Sequence, residues 1–243
     1  MPVGVFINSL AIFIGGVIGS LMGQRLSQDF KENLNMVFGV CSMGIGISSI
    51  VLMKNLPAVT LAVILGTAIG LAIHLGDKIN AAGRGMQRVV SRFVKMPDSG
   101  ISADEFSASL VTVIVLFCAS GTGIYGSIIS GMTGDHSILI AKSVLDLPTA
   151  LIFGCTLGVL VALIAVPQML VFLLLFFCAG LIFPLTTPDM IDDFKAVGGI
   201  IMLATGFRMI KVKMFPTADM IPAMILAMPV SWVWTAYIAP LVA

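Results

Sequence analysis

Charged residues are scarce in this sequence: Asp, Glu, Lys and Arg together make up only 10% of its 243 residues. A soluble domain carries about a quarter charged residues, because its surface must be hydrated. Apolar residues instead make up 58%, and the mean hydropathy is +1.11. These values exclude a soluble globular enzyme, a disordered chain and a nucleic-acid binder with a basic face. They predict an integral membrane protein whose first partner is the lipid bilayer.

Residues that support catalysis or metal binding are also few. The sequence has two histidines and four cysteines, and it contains no HExxH, Walker, GxSxG or kinase signature. The cysteines follow no motif spacing, so we interpret them as small buried hydrophobic residues. We therefore expect no metal, no cofactor, no nucleic-acid partner and no enzymatic activity.

Long apolar runs dominate what is present. About 20 helical residues cross a bilayer core, and continuous runs favour helices over the alternating segments of a barrel. Eight runs approach this length: residues 4–23, 36–53, 56–75, 106–129, 138–166, 168–185, 197–210 and 220–237. The sequence thus predicts an all-α polytopic transmembrane helix bundle of about eight spans, with residues 1–243 as one membrane domain. The alternative of seven spans would place the two chain ends on opposite sides.

Basic residues concentrate in three loops, all on one side if eight spans are counted with both ends outside. Ten of the 13 basic residues lie there: Arg25, Lys31, Lys78, Arg84, Arg88, Arg92, Lys95, Arg208, Lys211 and Lys213. The positive-inside rule therefore places loops 24–35, 76–105 and 208–216 in the cytoplasm.

The longest of these loops contains a basic stripe. Arg84, Arg88 and Arg92 recur every four residues, and apolar residues occupy the other helix faces. This pattern predicts that residues 77–104 form a cytoplasmic amphipathic helix and linker, with the arginines on anionic lipid headgroups. The alternative is a solvated segment that only orients the chain.

Glycines recur at four-residue spacing within the predicted spans. Small residues allow helix backbones to approach closely in lipid. We therefore assign a helix-packing role to Gly15, Gly19, Gly23, Gly66, Gly70, Gly154 and Gly158.

A weak internal similarity suggests an inverted repeat. The tripeptide Asp-Phe-Lys precedes both the second span (29–31) and the seventh (193–195). After a shift of about 160 residues, two glycine pairs also match, Gly39 with Gly199 and Gly46 with Gly206. Spans 1–3 would then correspond to spans 6–8 in inverted orientation. Secondary transporters often have this plan, with the substrate site at the repeat interface.

Residues 120–148 combine glycines, hydroxyls and charges within an apolar region. Each of the glycines at 121, 123, 126, 131 and 134 weakens a helix by about 1 kcal/mol, so we expect a break or an unwound stretch there. Asp135 or Ser137 is placed to cap the next helix.

Lys142 and Asp146 lie four residues apart, on one face of a predicted helix inside the membrane. An ionisable residue at this depth costs at least about 2.5 kcal/mol to insert, which favours a functional role. A self-neutralising ion pair that joins two helices is the alternative. Our candidate substrate or ion pathway comprises Asp135, Lys142, Asp146, Ser120, Thr122, Ser137, Ser143 and Asn8.

The run 131–146 resembles the signature of a family of uncharacterised bacterial inner-membrane proteins, the YqgA/YdfK-like family, which is described as a domain of unknown function. Similar stretches are 117–124, 184–188, 196–199 and 213–216, together with Asn8 and the Gly15-Gly16 pair. The resemblance implies a multi-pass inner-membrane protein of a Gram-negative bacterium. It implies no particular activity.

These observations favour a small-solute or ion transporter or channel that works by rocking of two inverted halves. The alternative is a non-transporting scaffold or assembly partner, for which a closed bundle with a fully satisfied Lys142–Asp146 pair is expected. Either class is compatible with a homo-oligomer. An intramembrane enzyme is the least favoured, because the sequence shows no nucleophile or metal constellation.

Overall fold

The computed structural model describes residues 1–22, 27–90, 106, 110, 113–114, 116–118 and 120–242. The regular elements within this part of the chain are all helical, which confirms the predicted all-α class. They are α1 (Val3–Met22), α2 (Gln28–Ile50), α3 (Leu56–Ala72), α4 (Leu75–Val90), α5 (Gly121–Thr133), α6 (Ser137–Leu157), α7 (Leu160–Ile182), α8 (Pro188–Met209) and α9 (Ile221–Val233). The described residues between 106 and 118 are helical too.

Shorter elements complete the chain. A 3-10 turn, Phe183–Leu185, follows α7, and a π-helical turn, Trp234–Ile238, continues α9 into a last helix, α10 (Ala239–Val242).

Backbone contacts divide the chain into two compact units. The first unit, Met1–Asn35 and Asp77–Ala179, contains α1, α5, α6 and nearly all of α7. The second unit, Met36–Gly76 and Gly180–Ala243, contains α3, α8, α9 and the apolar part of α2. Each unit is therefore built from segments that are distant in the sequence.

Several helices are long and apolar enough to cross a membrane. Among the described residues these are α1, α6, α7 and the continuous stretch Ile221–Leu241, with a fifth if α3 and the first part of α4 count as one bent span. The apolar part of α2, Met36–Ile50, is shorter. The structure thus supports a helical membrane protein, whereas length and hydropathy alone select fewer spans than the predicted eight.

The outer face of α7 shows what surrounds these helices. Its most exposed side chains are apolar and follow helical spacing: Val166, Leu170, Leu174, Phe177 and Leu181, with 53–78% of their surface open. A contiguous exposed apolar stripe of this size is unfavourable in water and favourable in lipid.

The predicted fifth span, 138–166, is wrong. The structure ends α6 at Leu157 and begins α7 at Leu160, with Gly158 between them at φ +68°. Only a residue without a Cβ adopts this conformation readily. The turn carries no polar residue, so hydropathy runs through it without interruption, and the predicted sixth span, 168–185, starts too late for the same reason.

The unwound stretch expected at 121–134 is also wrong, because Gly121–Thr133 is the helix α5. The break in the predicted fourth span lies at Ser120, whose hydroxyl accepts a hydrogen bond from the Gly123 N–H (3.1 Å). Gly134, at φ +74°, ends the helix. Gly131 packs directly on the Phe176 carbonyl, so close packing offsets the low helix propensity of glycine here.

Glycines bring the helix backbones together in the first unit. A Cβ at Gly15 would overlap the Leu147 carbonyl oxygen, and one at Gly19 would overlap that of Leu151. A Cβ at Gly154 would lie 2.8 Å from the Gly16 carbonyl oxygen. Helices α1 and α6 are thus in backbone contact along several turns, and they run in the same direction.

The second unit uses the same device. A Cβ at Gly66 would overlap the Ala223 backbone, and one at Gly70 would overlap the Asp219 carbonyl, so α3 and α9 run antiparallel. One predicted packing position differs, and another is not described. Gly158 makes the α6–α7 turn, and Gly23 lies outside the described residues.

The glycine contacts yield a stability prediction with a matched control. We expect Gly19→Ala to lower the free energy of unfolding by about 1–3 kcal/mol, because the added methyl meets backbone that cannot move aside. Gly44→Ala adds the same methyl in α2 where nothing lies within 4 Å, so it should be neutral or stabilise by up to about 1 kcal/mol. Unfolding in detergent measures both; equal effects would contradict the packing argument.

Candidate functional site

Lys142 and Asp146 form a buried ion pair on the inner face of α6. The Lys142 Nζ lies 2.8 Å from Oδ1 and 2.6 Å from Oδ2 of Asp146. Their side chains are only 5% and 9% exposed. The neighbouring α6 residues Ile140 and Val144 are exposed instead, so one face of the helix carries the charges inward while the other faces outward.

Two carboxamides extend the pair to other helices. Asn8 on α1 donates from Nδ2 to Asp146 Oδ2 (2.8 Å), and Gln168 on α7 donates from Nε2 to Asn8 Oδ1 (2.9 Å). The Ser9 hydroxyl lies 2.7 Å from Gln168 Oε1. We call these five residues the polar network: Lys142, Asp146, Asn8, Gln168 and Ser9. It joins three helices of the first unit through side chains that are all buried.

The surroundings of the polar network are apolar. The Phe117 ring centroid lies 5.9 Å from the Lys142 Nζ, a cation–π distance. Phe117 belongs to a core cluster with Ile114, Ala150 and Leu157, all buried. In such a low-dielectric environment the ion pair is strong, and an unpaired partner would be expensive.

Prolines flank the network on two helices. Pro148 lies two residues after Asp146 within α6, and Pro167 directly precedes Gln168 within α7. A proline lacks an N–H, so it cannot pair with the carbonyl four residues earlier, here that of Val144 or Leu163. The backbone ladders of α6 and α7 therefore each lack one hydrogen bond next to the polar network.

The structure gathers only some of the predicted site residues. Asn8, Lys142 and Asp146 are in contact, and Ser143 lies beside them on α6 with its hydroxyl bonded to the Leu139 carbonyl (2.6 Å). Thr122 is buried in α5.

The remaining candidates are at helix ends. Asp135 lies in the exposed turn before α6, where its Oδ1 accepts from the Ser137 N–H (2.9 Å). Ser120 caps α5. More than one helical turn separates Asp135 from Lys142 along α6, so Asp135 belongs to a different part of the unit.

Gln168 is the network residue that sequence reasoning missed. It is the only amide or charged side chain between Leu160 and Ile182, and that isolation was the available signal. Its neighbours are so apolar that a hydropathy profile passes over it.

The second unit also contains a buried carboxylate, Asp193, which belongs to the second Asp-Phe-Lys tripeptide. Asp193 is fully buried on α8, and its Oδ1 accepts from the backbone N–H groups of Lys54 (2.8 Å) and Asn55 (2.9 Å). Its Oδ2 accepts from the Ser231 hydroxyl (2.6 Å) and the Asn55 amide (2.9 Å). These bonds tie the start of α3 to α8 and α9, which is a structural role.

The sequence of this chain matches a known protein family over nearly its whole length. The family described as "Protein of unknown function (DUF554)" matches residues 3–232. This chain belongs to that family. The resemblance predicted from the sequence is thereby confirmed.

Two relatives match this DUF554 chain over nearly its whole length. It is 48% identical over 239 residues to "Uncharacterized protein YqgA" of Escherichia coli (strain K12), covering 98% of this chain and 100% of that protein. It is 24% identical over 241 residues to "Uncharacterized membrane protein YdfK" of Bacillus subtilis (strain 168), covering 96% and 97%. No solved structure matches the chain.

The ion pair of this DUF554 protein yields a coupling prediction. Lys142→Met leaves the Asp146 carboxylate buried without its cation, and we expect it to lower the free energy of unfolding by about 3–5 kcal/mol. The double variant Lys142→Met/Asp146→Leu removes both charges and should lose less than Lys142→Met alone. Detergent unfolding of the single and double variants measures the coupling, and additive losses would show that the two charges do not act as a pair.

Proposed function

We propose that this membrane protein transports a small solute or ion, with the polar network as its site. The observation that carries the proposal is the Lys142–Asp146 pair, buried together with the amides of Asn8 and Gln168 where three helices meet. Ionisable residues inside membrane helices are rare and generally mark substrate or ion pathways. The prolines beside the network favour local movement of α6 and α7.

The inverted repeat that we propose supports the same site. Asn8 and Gln168, which are hydrogen-bonded, are 160 residues apart. Ser42 and Met202 are 160 residues apart as well, and the Ser42 hydroxyl donates to the Met202 carbonyl (3.3 Å). When helices related by a two-fold axis cross on that axis, each touches its own equivalent. Both contacts fit this rule at the shift that matches the glycines.

The glycine contacts of α2 and α8 follow the same symmetry. A Cβ at Gly46 would lie 2.6 Å from the Gly199 carbonyl oxygen, and one at Gly206 would lie 2.7 Å from that of Gly39. Exchange of equivalent residues converts the first contact into the second. The two helices also run antiparallel, as an inverted repeat requires.

The helices that follow provide a third match. α3 begins with Leu-Pro-Ala (56–58) and α9 with Ile-Pro-Ala (221–223), and Leu-Ala recurs at 61–62 and 226–227. The repeat we propose therefore pairs α1–α2–α3 with α7–α8–α9. The network lies where the first members of the two repeats cross, the place at which transporters of this plan bind substrate.

For the topology we propose eight crossings of a bacterial inner membrane, with loops 24–35, 76–105 and 208–216 in the cytoplasm. The helix directions support this count. In the first unit α1 and α6 run the same way and α7 runs opposite; in the second unit α2 opposes α8 and α3 opposes α9. If the chain crosses the membrane in alternating directions, the opposite directions of α1 and α7 require an even number of crossings between them. Eight crossings meet this requirement, because they place four crossings between α1 and α7.

We also place α4 on the cytoplasmic surface. It bends by 62° from α3, and its described polar residues Asp77, Lys78 and Arg84 are exposed. Arg84 and Arg88 would contact anionic headgroups. The side chain of Arg88 and the whole of Arg92 lie outside the described residues.

One observation favours a non-transporting scaffold. Both oxygens of Asp146 have donors and the pair is buried, as a helix staple would be. The two functions differ in what happens when the pair is altered. A staple affects only stability, whereas a transport site affects flux at equal folding.

A reporter fusion tests the topology. Eight crossings place the chain's C-terminal end outside, so alkaline phosphatase fused there should be active and a fluorescent protein should be dark. A fusion within loop 76–105 should behave in the opposite way and serves as the control. An inward C-terminal end would favour seven crossings and contradict the proposal.

Flux through liposomes tests the function. We expect the native protein to move at least one member of a panel of ions and small metabolites, and Asp146→Asn to reduce that flux to the empty-liposome level, because the carboxylate is the centre of the site. Asp189→Asn removes an exposed carboxylate and should transport normally. Equal flux in native protein and Asp146→Asn at equal folding would remove the network from transport.

A further inference from the structure

We propose that the polar network is a binding site for a small monovalent cation, and that the Lys142 ammonium occupies this site in the present state. This inference rests on the proposed function and names its solute class. The polar network contains many oxygen acceptors and one positive charge, and that charge is on a flexible side chain of the protein itself.

The oxygens of the network form a cation's natural surroundings. Asp146 contributes two carboxylate oxygens, Asn8 and Gln168 contribute one amide oxygen each, and these groups are joined by hydrogen bonds of 2.6–2.9 Å. Carboxylate and amide oxygens are the ligands that hard cations prefer.

The described neighbours of the pair supply no other charge. Asn8 and Ser9 face it from α1 and Gln168 faces it from α7, and all three are neutral. The helical residues at 113–118 contribute the Phe117 ring, whose centroid lies 5.9 Å from the Lys142 Nζ. The ammonium is therefore the one cation facing Asp146 among the described residues.

This arrangement disfavours an anion as the solute. The Lys142 ammonium donates to the Asp146 oxygens at 2.6 and 2.8 Å, and the Phe117 ring lies against the ammonium. An anion arriving here would meet the Asp146 carboxylate, and the Asn8 Nδ2 beside it already donates to that carboxylate. Once the ammonium has moved, a small cation meets the two carboxylate oxygens of Asp146.

Exchange of the two cations requires no covalent chemistry. The Lys142 side chain turns away on its four-carbon stem, the two N–H···O contacts to Asp146 are lost, and cation–oxygen contacts replace them. Both species carry a single positive charge, so the carboxylate is neutralised before and after the exchange. The displaced ammonium must turn toward water, because an unpaired charge would be costly in the apolar surroundings. Competition by the tethered ammonium lowers the affinity for the solute, and conduction or transport needs binding that is weak enough to release.

Cation rescue of a lysine variant tests the site directly. In Lys142→Ala the carboxylate lacks its ammonium, so NaCl, KCl or NH4Cl should raise the Tm saturably over choline chloride at equal ionic strength. Lys142→Ala/Asp146→Asn should show no such rise. Lys142→Arg keeps a tethered cation and is the folding control. If Lys142→Ala unfolds in choline, recovery of folded protein in a small cation is the readout. The absence of stabilisation or recovery in every small cation overturns the inference.

Flux separates this inference from the proposed function. Native protein in liposomes should carry labelled Na⁺, Rb⁺ or methylammonium, and these arms distinguish alkali ions from amines. Lys142→Gln should lower the half-saturation concentration at least about tenfold, because a tethered competitor has an effective concentration in the millimolar range or above. Transport of an anion or a neutral solute, without cation rescue, overturns the cation site and leaves transport standing. Cation rescue without any flux keeps the site and overturns transport.

Discussion

Burying the Asp146 carboxylate in an apolar bundle constrains everything around it. A carboxylate at this depth is tolerated only with a cation and further donors, and Lys142 and Asn8 provide them. The asparagine side chain is short, so its helix must lie close to α6. Gly15 and Gly19 allow that approach, because any Cβ at these positions would overlap carbonyl oxygens of α6. The glycines of α1 and the charges of α6 are therefore parts of one arrangement.

In the proposed repeat, the hydrogen-bonded amides of Asn8 and Gln168 also mark the symmetry axis. Asn8 and Gln168 occupy equivalent positions in that repeat and are bonded to each other, so the bond lies at the local axis. If the crossing of α1 and α7 were fully symmetric, the Asn8 and Gln168 amides would bind each other and neither would bind a charged residue. Asp146 comes from outside the repeat and breaks this balance, since it binds Asn8 alone among the two. The asymmetry makes the two members of the repeat chemically different at the site.

Sequence reasoning found much of this molecule because its strongest signals are local. The helical class follows from continuous apolar runs, and Lys142, Asp146 and Asn8 stand out as polar residues within them. Features set by tertiary contacts were missed. The helix at 121–133 persists despite its glycines because neighbours pack on them, and the turn at Gly158 is hidden by apolar flanks. Gln168 was missed because its partner is 160 residues away.

Each unit combines segments that are distant in the sequence, and this order affects how the chain folds during synthesis. α1 leaves the ribosome before α6, because its backbone contacts on α6 and the acceptor of Asn8 lie more than a hundred residues later. In the same way, the apolar part of α2 cannot make its contacts with α8 until α8 has been synthesised. Neither unit can close until most of the chain has been synthesised, so early helices must enter the bilayer as unpaired segments. The uncharged Asn8 side chain costs less to insert into the bilayer than a charged one, so α1 can insert alone. Lys142 and Asp146 enter together on a single helix as an ion pair that neutralises both charges.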